Sequence, residues 1–115
     1  MPRFYLLDCI EACRACTSAC YHCAETCLRE PEDERMTCCI RLGLECALIC
    51  STCADLMSLN SELSPGIAHL CAESCWRCAS ECEKHPELDA CREGEAACRS
   101  FSGHCFGISQ PQVYP

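Results

Sequence analysis

The sequence is poor in ordinary hydrophobic core material. Half of its 115 residues count as hydrophobic, but eighteen of these are cysteine. The remaining apolar share, roughly a third, is thin for the core of a globular domain. A chain of this length forms one compact domain. We expect sulfur to supply the missing core material, because a free cysteine packs as a small hydrophobe.

The sequence also lacks an excess of basic charge. Its net charge is −8 and its pI is about 4.9, so there is no basic stripe for a phosphate backbone, and nucleic-acid binding is not expected. No apolar run of membrane-spanning length stands out, so no membrane partner is expected either. The first eight residues do not resemble a signal peptide. We therefore predict a cytoplasmic protein, in which thiols serve as ligands rather than as disulfides.

Signatures of catalysis are missing as well. The sequence offers no Ser–His–Asp pattern and no carboxylate pair that can be assigned to a cleft. Thioredoxin-like chemistry needs a Cys-x-x-Cys in a βαβ context, and there is no strand signal. The ferredoxin spacing, which ends in Cys-Pro, is absent too. These absences predict a protein that is not an enzyme.

What the sequence does contain is four cysteine-bearing segments separated by helix-breaking signals. Pro31 lies in an acidic link, Ser64-Pro65 resembles an N-cap followed by proline at the first helical position, and Pro86 forces a third break. The first predicted helix covers residues 2–29, and the second runs from the acidic link to about residue 59. The third covers residues 65–84 and the fourth 86–105. Short links favour antiparallel neighbours, so we predict an all-α, up-down four-helix bundle over residues 1–105, followed by a tail over 106–115.

Within these segments the cysteines follow a helical repeat. In the first segment they are separated by four, three, four, three and four residues, which is a heptad seam with a thiol at each inward position. Cys38 falls one residue off the seam of the second segment and is a further candidate ligand that is expected to flank it. The candidate metal ligands on the four seams are Cys9, Cys13, Cys16, Cys20, Cys23 and Cys27; Cys39, Cys46, Cys50 and Cys53; Cys71, Cys75, Cys78 and Cys82; and Cys91, Cys98 and Cys105.

This spacing suits Cu(I). Residues three or four apart project from one helix face about 5 to 6 Å apart, and soft thiolates select Cu(I), which accepts two or three ligands. We therefore predict that the chain binds multiple Cu(I) ions. Zinc prefers four tetrahedral ligands, and a zinc or general thiolate buffer of metallothionein type stays an alternative. A disulfide-built structural module is the second alternative, although small scaffolds need only two to four such bonds.

The two ends of the predicted bundle differ in their residues. One end collects leucine, isoleucine and phenylalanine side chains, whereas the other collects Cys27, Met36, Cys38, Cys82 and His85. We predict the second end as the copper entrance, with His85 as a ligand at the mouth and Met36 as a weak relay. His85 as a helix cap, and Met36 as a gap-filling core residue, are the plainer interpretations.

The repeat of cysteines along the seams is interrupted at a few positions. Gly43 takes a thiol position in the second segment, and in the fourth segment Gly94 or Glu95 and Phe101 or Ser102 do the same. At those levels we expect fewer ions, or ligands that all come from the facing helices.

With these seams, the chain resembles the bacterial copper storage proteins, which are cysteine-rich four-helix bundles that bind Cu(I) inside. The resemblance extends over the stripes from Cys9 to Cys105 and leaves out only the tail. It implies copper storage through the inward cysteines, with His or Met near the open end. The missing leader makes the chain similar to the cytosolic branch, which implies a homotetramer that exchanges copper with a chaperone or chelator.

Overall fold

Four helices form the regular secondary structure of the described residues. The computed structural model describes residues 3–30 and 34–109, and the side chains of residues 6–30 and 34–103. The helices are α1 (Arg3–Arg29), α2 (Met36–Ser58), α3 (Ser64–Cys82) and α4 (Asp89–Ser109). The prediction of an all-α chain is confirmed. Helix α4 continues beyond Cys105, the residue at which its end was predicted.

Each helix packs against two neighbours around a square. Helix α1 lies against α2 and α4, and α3 lies against the same two helices. Because the links are short, consecutive helices run in opposite directions, which confirms the up-down bundle. The buried positions of α2 follow the predicted seam and include Cys39, Cys46, Cys50 and Cys53. The core therefore lies along the bundle axis and is built largely of sulfur.

Helix α2 ends in a Schellman motif at Asn60. This residue has a positive φ of 53°, a left-handed conformation that asparagine adopts more readily than most other residues. The Asn60 N–H donates to Met57 O at 3.0 Å, and the Ser61 N–H donates to Leu56 O at 3.0 Å. These bonds satisfy carbonyls at the end of the helix, so Asn60 caps α2.

The start of α3 differs from the prediction. The residue at the N-cap is Leu63, and Ser64 already belongs to the helix, with proline directly after it. No side-chain cap is formed at this end; the Oγ of Ser61 accepts a hydrogen bond from the Leu63 N–H at 3.0 Å in the turn before the helix. Ser64 is buried, and its Oγ has no hydrogen-bond partner among the described residues.

The break at Pro86 is confirmed, but it is longer than predicted. Helix α3 ends at Cys82 and α4 begins at Asp89. Two turns connect them: the His85 N–H donates to Cys82 O at 2.9 Å, and the Leu88 N–H donates to His85 O at 3.2 Å. His85 is therefore held in the link directly after the last cysteine of α3.

Helix α2 corrects one expectation from the sequence. By length and composition, Met36–Ser58 could cross a membrane. Much of its apolar character comes from four cysteines that face the bundle axis, and the core helix of a bundle meets the same criterion. The finding alone is weak support for a membrane-spanning role.

Charged pairs connect the helices on the outside of the bundle. There is one pair between each two neighbouring helices: Arg14–Asp55 at 2.7 Å, Glu45–Arg77 at 3.3 Å, Glu83–Arg99 at 3.4 Å and His22–Glu93 at 4.0 Å. Because these side chains are largely exposed, each pair contributes only about 0 to 1 kcal/mol. The polar faces thus agree with the antiparallel order, but the buried sulfur face dominates the packing.

Candidate metal centre

A continuous row of thiols runs along the axis of the bundle. All seventeen cysteines with described side chains are free, and sixteen of them are buried. Their Sγ atoms approach one another at 3.3 to 4.0 Å, far longer than the S–S bond of about 2.05 Å. For these residues the disulfide alternative is wrong. We refer to the sixteen buried side chains as the sulfur channel.

Two groups of four thiols share the middle of the sulfur channel. One group consists of Cys16, Cys46, Cys50 and Cys75, and the other of Cys16, Cys20, Cys46 and Cys98; within each, all Sγ atoms lie within 4.8 Å of one another. The groups bring together thiols from diagonally opposite helices of the bundle. Cys16 on α1 is 3.7 Å from Cys75 on α3, and Cys46 on α2 is 3.9 Å from Cys98 on α4. Cys16 and Cys46 belong to both groups, so neighbouring sites have ligands in common.

Near the α1–α2 link, the sulfur channel contains one thiol from each helix. This third group consists of Cys23, Cys39, Cys82 and Cys91. It connects to the middle through Cys78, which is 4.0 Å from Cys20 and hydrogen-bonded to Cys82. Beyond the group, the Sγ of Cys27 lies 3.7 Å from those of both Cys39 and Cys91.

At the opposite end, the group of described thiols comes from three helices. Cys13, Cys53 and Cys71 form this group, and Cys71 lies 3.3 Å from Cys50 in the next group. On α4 the corresponding level is taken by Phe101, which is fully buried in the same core cluster. The facing helices therefore supply the thiols at this interrupted level, and their role as ligands stays a prediction.

The two glycines in the seams have different surroundings. A Cβ atom at Gly43 would lie 3.2 Å from the carbonyl oxygen of Cys20, so this glycine permits a close approach of α1 and α2. A Cβ atom at Gly94 would lie 3.5 Å from the Sγ of Cys82 and 3.8 Å from the Sγ of Cys23. Gly94 therefore lies on the wall of the sulfur channel and leaves room at the level of the third group.

The thiols cannot all ionise together, because each is surrounded by other thiols. Burial raises the pKa of Cys27 to about 11. Where one sulfur accepts hydrogen bonds from its neighbours, the opposite occurs: bonds from Cys13 and Cys71 lower the pKa of Cys53 to about 4, and the pKa of Cys13 rises beside it. A row of thiolates is stable only with a compensating cation. Metal binding must then release the thiol protons.

His85 lies just beyond Cys82 and is 3% exposed. Its Nε2 is 3.0 Å from Oε2 of Glu81, while its Nδ1 has no hydrogen-bond partner among the described residues. An unsatisfied buried polar atom costs about 1 to 3 kcal/mol. His85 belongs to none of the described groups whose ligand atoms all lie within 4.8 Å. Its place at the predicted end of the bundle is confirmed, but its role as a ligand stays a prediction.

Glu81 is a site residue that the sequence did not reveal. It is 7% exposed, and its Oε1 lies 3.2 Å from the Nζ of Lys84. Burial opposes its ionisation, but hydrogen bonds from His85, Lys84 and Cys38 lower the pKa of the carboxyl below its usual value. Its spacing of four residues before His85 is the one signal that could have found it.

Cys38 requires a correction. It was included among the candidate ligands, but its side chain is exposed and hydrogen-bonded to Glu81, outside the described thiol groups. The reason is helix geometry: one residue step turns the side chain by about 100°, so Cys38 points away when Cys39 points inward. The side chain of Cys105 lies outside the described residues.

Met36 lines a cavity at the same end of the bundle as His85. The cavity has a volume of about 420 Å³, and the residues around it are Cys27, Leu28, Glu30, Glu34, Met36, Thr37 and Ile40. Met36 itself is buried in the core cluster, which also fits its plainer interpretation as a gap-filling residue. Cys27, the last cysteine of α1 in the sulfur channel, is among the residues that line the cavity, together with the two acidic residues Glu30 and Glu34.

The remaining histidines and the tryptophan lie off the sulfur channel where they are described. His22 and His69 are exposed, as is Trp76 at 65%. The side chain of His104 lies outside the described residues. Trp76 is therefore on the outer surface of the bundle.

The fold and the sulfur channel define a class of protein: a helical bundle that encloses soft metal ions among thiolates. The chain matches the family model described as "Csp: Copper storage protein" over residues 4–110. The protein belongs to the copper storage protein family.

Two solved structures and one further protein are similar to this chain. A solved structure of a cytosolic copper storage protein from Streptomyces lividans, with five coppers, is 32% identical with a TM-score of 0.89, covering 96% of this chain and 97% of that one. Cu(I)-bound copper storage protein BsCsp3 is 38% identical with a TM-score of 0.86, covering 92% and 99%. The uncharacterized cysteine-rich protein YhjQ of Bacillus subtilis is 40% identical over 96 residues, 82% of this chain and 89% of that protein.

Proposed function

We infer that this protein stores Cu(I), holding multiple ions per chain among the thiolates of the sulfur channel. The observation that carries this inference is the series of Sγ contacts that links buried cysteines of all four helices along the axis. Cu(I) needs only two or three thiolates, so sulfurs 3.3 to 4.0 Å apart can hold it with small movements. Cys105 follows the seam of α4 and is proposed as a further ligand.

Storage is proposed rather than catalysis. Cu(I) wrapped in thiolates has no open coordination position, and soft ligands favour the reduced ion. The family's name describes the same role. The alternative of a general thiolate buffer has one specific observation in its favour: Cys23, Cys39, Cys82 and Cys91 offer four thiols within 4.8 Å, the number that tetrahedral zinc requires.

The copper entrance is proposed at the end that contains the cavity near Met36. Glu30 and Glu34 place negative charge there, which attracts cations and raises their local concentration. Cys27 is the first thiol of the sulfur channel behind them, and it contacts Cys39 and Cys91. Copper would then pass from the cavity along the series of thiols.

A cytosolic location, a homotetramer and exchange with a copper chaperone or chelator complete the proposal. The Streptomyces lividans relative is described as cytosolic. Exposed Trp76, Leu48 and Leu44 are suited to a contact between subunits. Neither a nucleic-acid nor a membrane partner is proposed. Residues 1–105 are proposed as the copper-binding domain and 106–115 as a tail.

An anaerobic titration tests the storage function. Reduced protein and Cu(I) compete with a strong Cu(I) chelator of known affinity, and we expect many equivalents to bind per chain. A weakly buffered sample should release protons as thiols become thiolates. Zinc should saturate at far fewer equivalents, since each ion needs four ligands. Binding of a single Cu(I), or equal capacities for both metals, would contradict copper storage and favour the general buffer.

The entrance is tested by uptake kinetics. Replacing Glu30 and Glu34 together by glutamine should slow uptake of Cu(I) from its cationic acetonitrile complex several-fold at low salt, and by less at high salt. The final capacity should not change. Glu11→Gln combined with Glu73→Gln removes the same charge from exposed positions elsewhere and is the matched control. Equal slowing in both double variants would argue against an entrance at this end.

A further inference from the structure

The buried pair Glu81–His85 has a geometry that the storage of copper by thiols does not explain. His85 is 3% and Glu81 is 7% exposed, and they are joined by a contact of 3.0 Å between Nε2 and Oε2. An ionised carboxylate can only accept a hydrogen bond, so Nε2 must carry the proton. For a neutral ring, Nδ1 is then the nitrogen with the free lone pair, on the ring edge away from Glu81.

This lone pair has no partner among the described residues. Buried polar atoms are nearly always satisfied, and an exception calls for an explanation such as an absent ion. His85 extends the register of Cys75, Cys78 and Cys82, and its backbone N–H is bonded to the carbonyl of Cys82. The backbone of His85 is therefore held directly after Cys82, a cysteine of the third thiol group, and its ring is buried at this end of the bundle.

Histidines that bind metals usually donate their other ring N–H to a carboxylate, which fixes the tautomer and the ring orientation. We propose that Glu81 is a positioning residue that holds His85 with Nε2 protonated and so presents Nδ1 as a nitrogen ligand for Cu(I) beside Cys82. The inference rests on the proposed storage function and deepens it, because it adds one mixed nitrogen–sulfur site to an otherwise thiolate channel.

Glu81 is itself held in place from two further sides. Lys84 contacts Oε1 at 3.2 Å, and exposed Cys38 on α2 donates a hydrogen bond to the same carboxyl group. The carboxylate thus connects α2, the end of α3 and the link before α4. This arrangement restricts the movement of His85 before any ion arrives, and it gives Cys38 a structural role outside the sulfur channel.

The test compares Glu81→Leu, Glu81→Gln and His85→Ala in the full-length protein, with Glu87→Leu as a control that removes an exposed carboxylate from the same link. In the wild type, ¹⁵N NMR of the apo protein should show His85 protonated at Nε2, and loading with Cu(I) should shift the Nδ1 resonance. Glu81→Leu should weaken one site about ten- to hundredfold. Glu81→Gln should restore most of that affinity, because its amide oxygen can still accept the bond from Nε2–H.

Several results would overturn the inference. An Nδ1 resonance that does not move on full loading would do so, as would a site affinity in Glu81→Leu equal to that of the control. His85→Ala should lose this one site and keep the thiolate sites. Circular dichroism of each apo variant checks that the helices persist, and Glu81→Gln keeps the comparison valid if Glu81→Leu does not fold. Failure of the wild type to bind multiple Cu(I) ions would instead refute the storage function.

Discussion

Filling the sulfur channel with Cu(I) should raise the midpoint of thermal unfolding by more than about 20 °C. A ligand present at a thousand times its dissociation constant stabilises the folded state by about 4 kcal/mol per site, and in a domain of this size 1 kcal/mol shifts the midpoint by roughly 4 to 8 °C. Several filled sites therefore exceed the stabilisation available from any single packing change. The sites exist only when the four helices are assembled, because their thiols come from different helices.

Circular dichroism melts of the reduced apo and loaded forms measure this effect. The apo form should already be helical, since its thiols pack as small hydrophobic groups and are buried without metal. Removing copper with a chelator should return the midpoint to the apo value. A random-coil spectrum for the apo form would show that metal is required for folding, and an unchanged midpoint after loading would show that copper binds elsewhere.

Replacing Cys46 by alanine should cause one of the largest losses of capacity for a single substitution. Its Sγ lies 3.8 Å from that of Cys50, 3.6 Å from that of Cys75 and 3.9 Å from that of Cys98, and it is a member of both central groups. Removing it leaves two neighbouring groups with three thiols each. We expect the capacity to fall by at least about one Cu(I) equivalent, because the two groups lose a sulfur that they share.

The control for this experiment is Cys38→Ala. This variant removes a cysteine of the same helix whose side chain is exposed, so the capacity should remain that of the wild type. The apo melting midpoint of Cys46→Ala reports the packing loss separately, and a cost of about 1 kcal/mol is expected for one buried heavy atom. Equal capacities of the two variants would mean that the central groups do not hold copper.

The sequence predicted the inward seam and the copper chemistry well, because both depend on local periodicity. A spacing of three and four residues fixes one helix face regardless of what packs against it, and sixteen of the predicted ligands lie buried on that face. Cys38 was the exception, although its position one step off the seam already indicated a different direction. The predicted helix ends were less accurate at Ser64 and at residue 84. Helix ends depend on local hydrogen bonds, such as that to the Oγ of Ser61, which form only in a particular conformation of the link.

By itself, the sequence determined that this protein is a four-helix bundle with a face of sulfur on each helix. Only the tertiary structure decided which sulfurs belong together, since the contact of Cys16 with Cys75 and Cys98 joins residues far apart in the chain. It also decided that Phe101 occupies the place of a thiol at one end and that Glu81 holds His85 at the other. The physical reason is that periodicity gives the direction of a side chain from its own helix, whereas a metal site needs distances between helices.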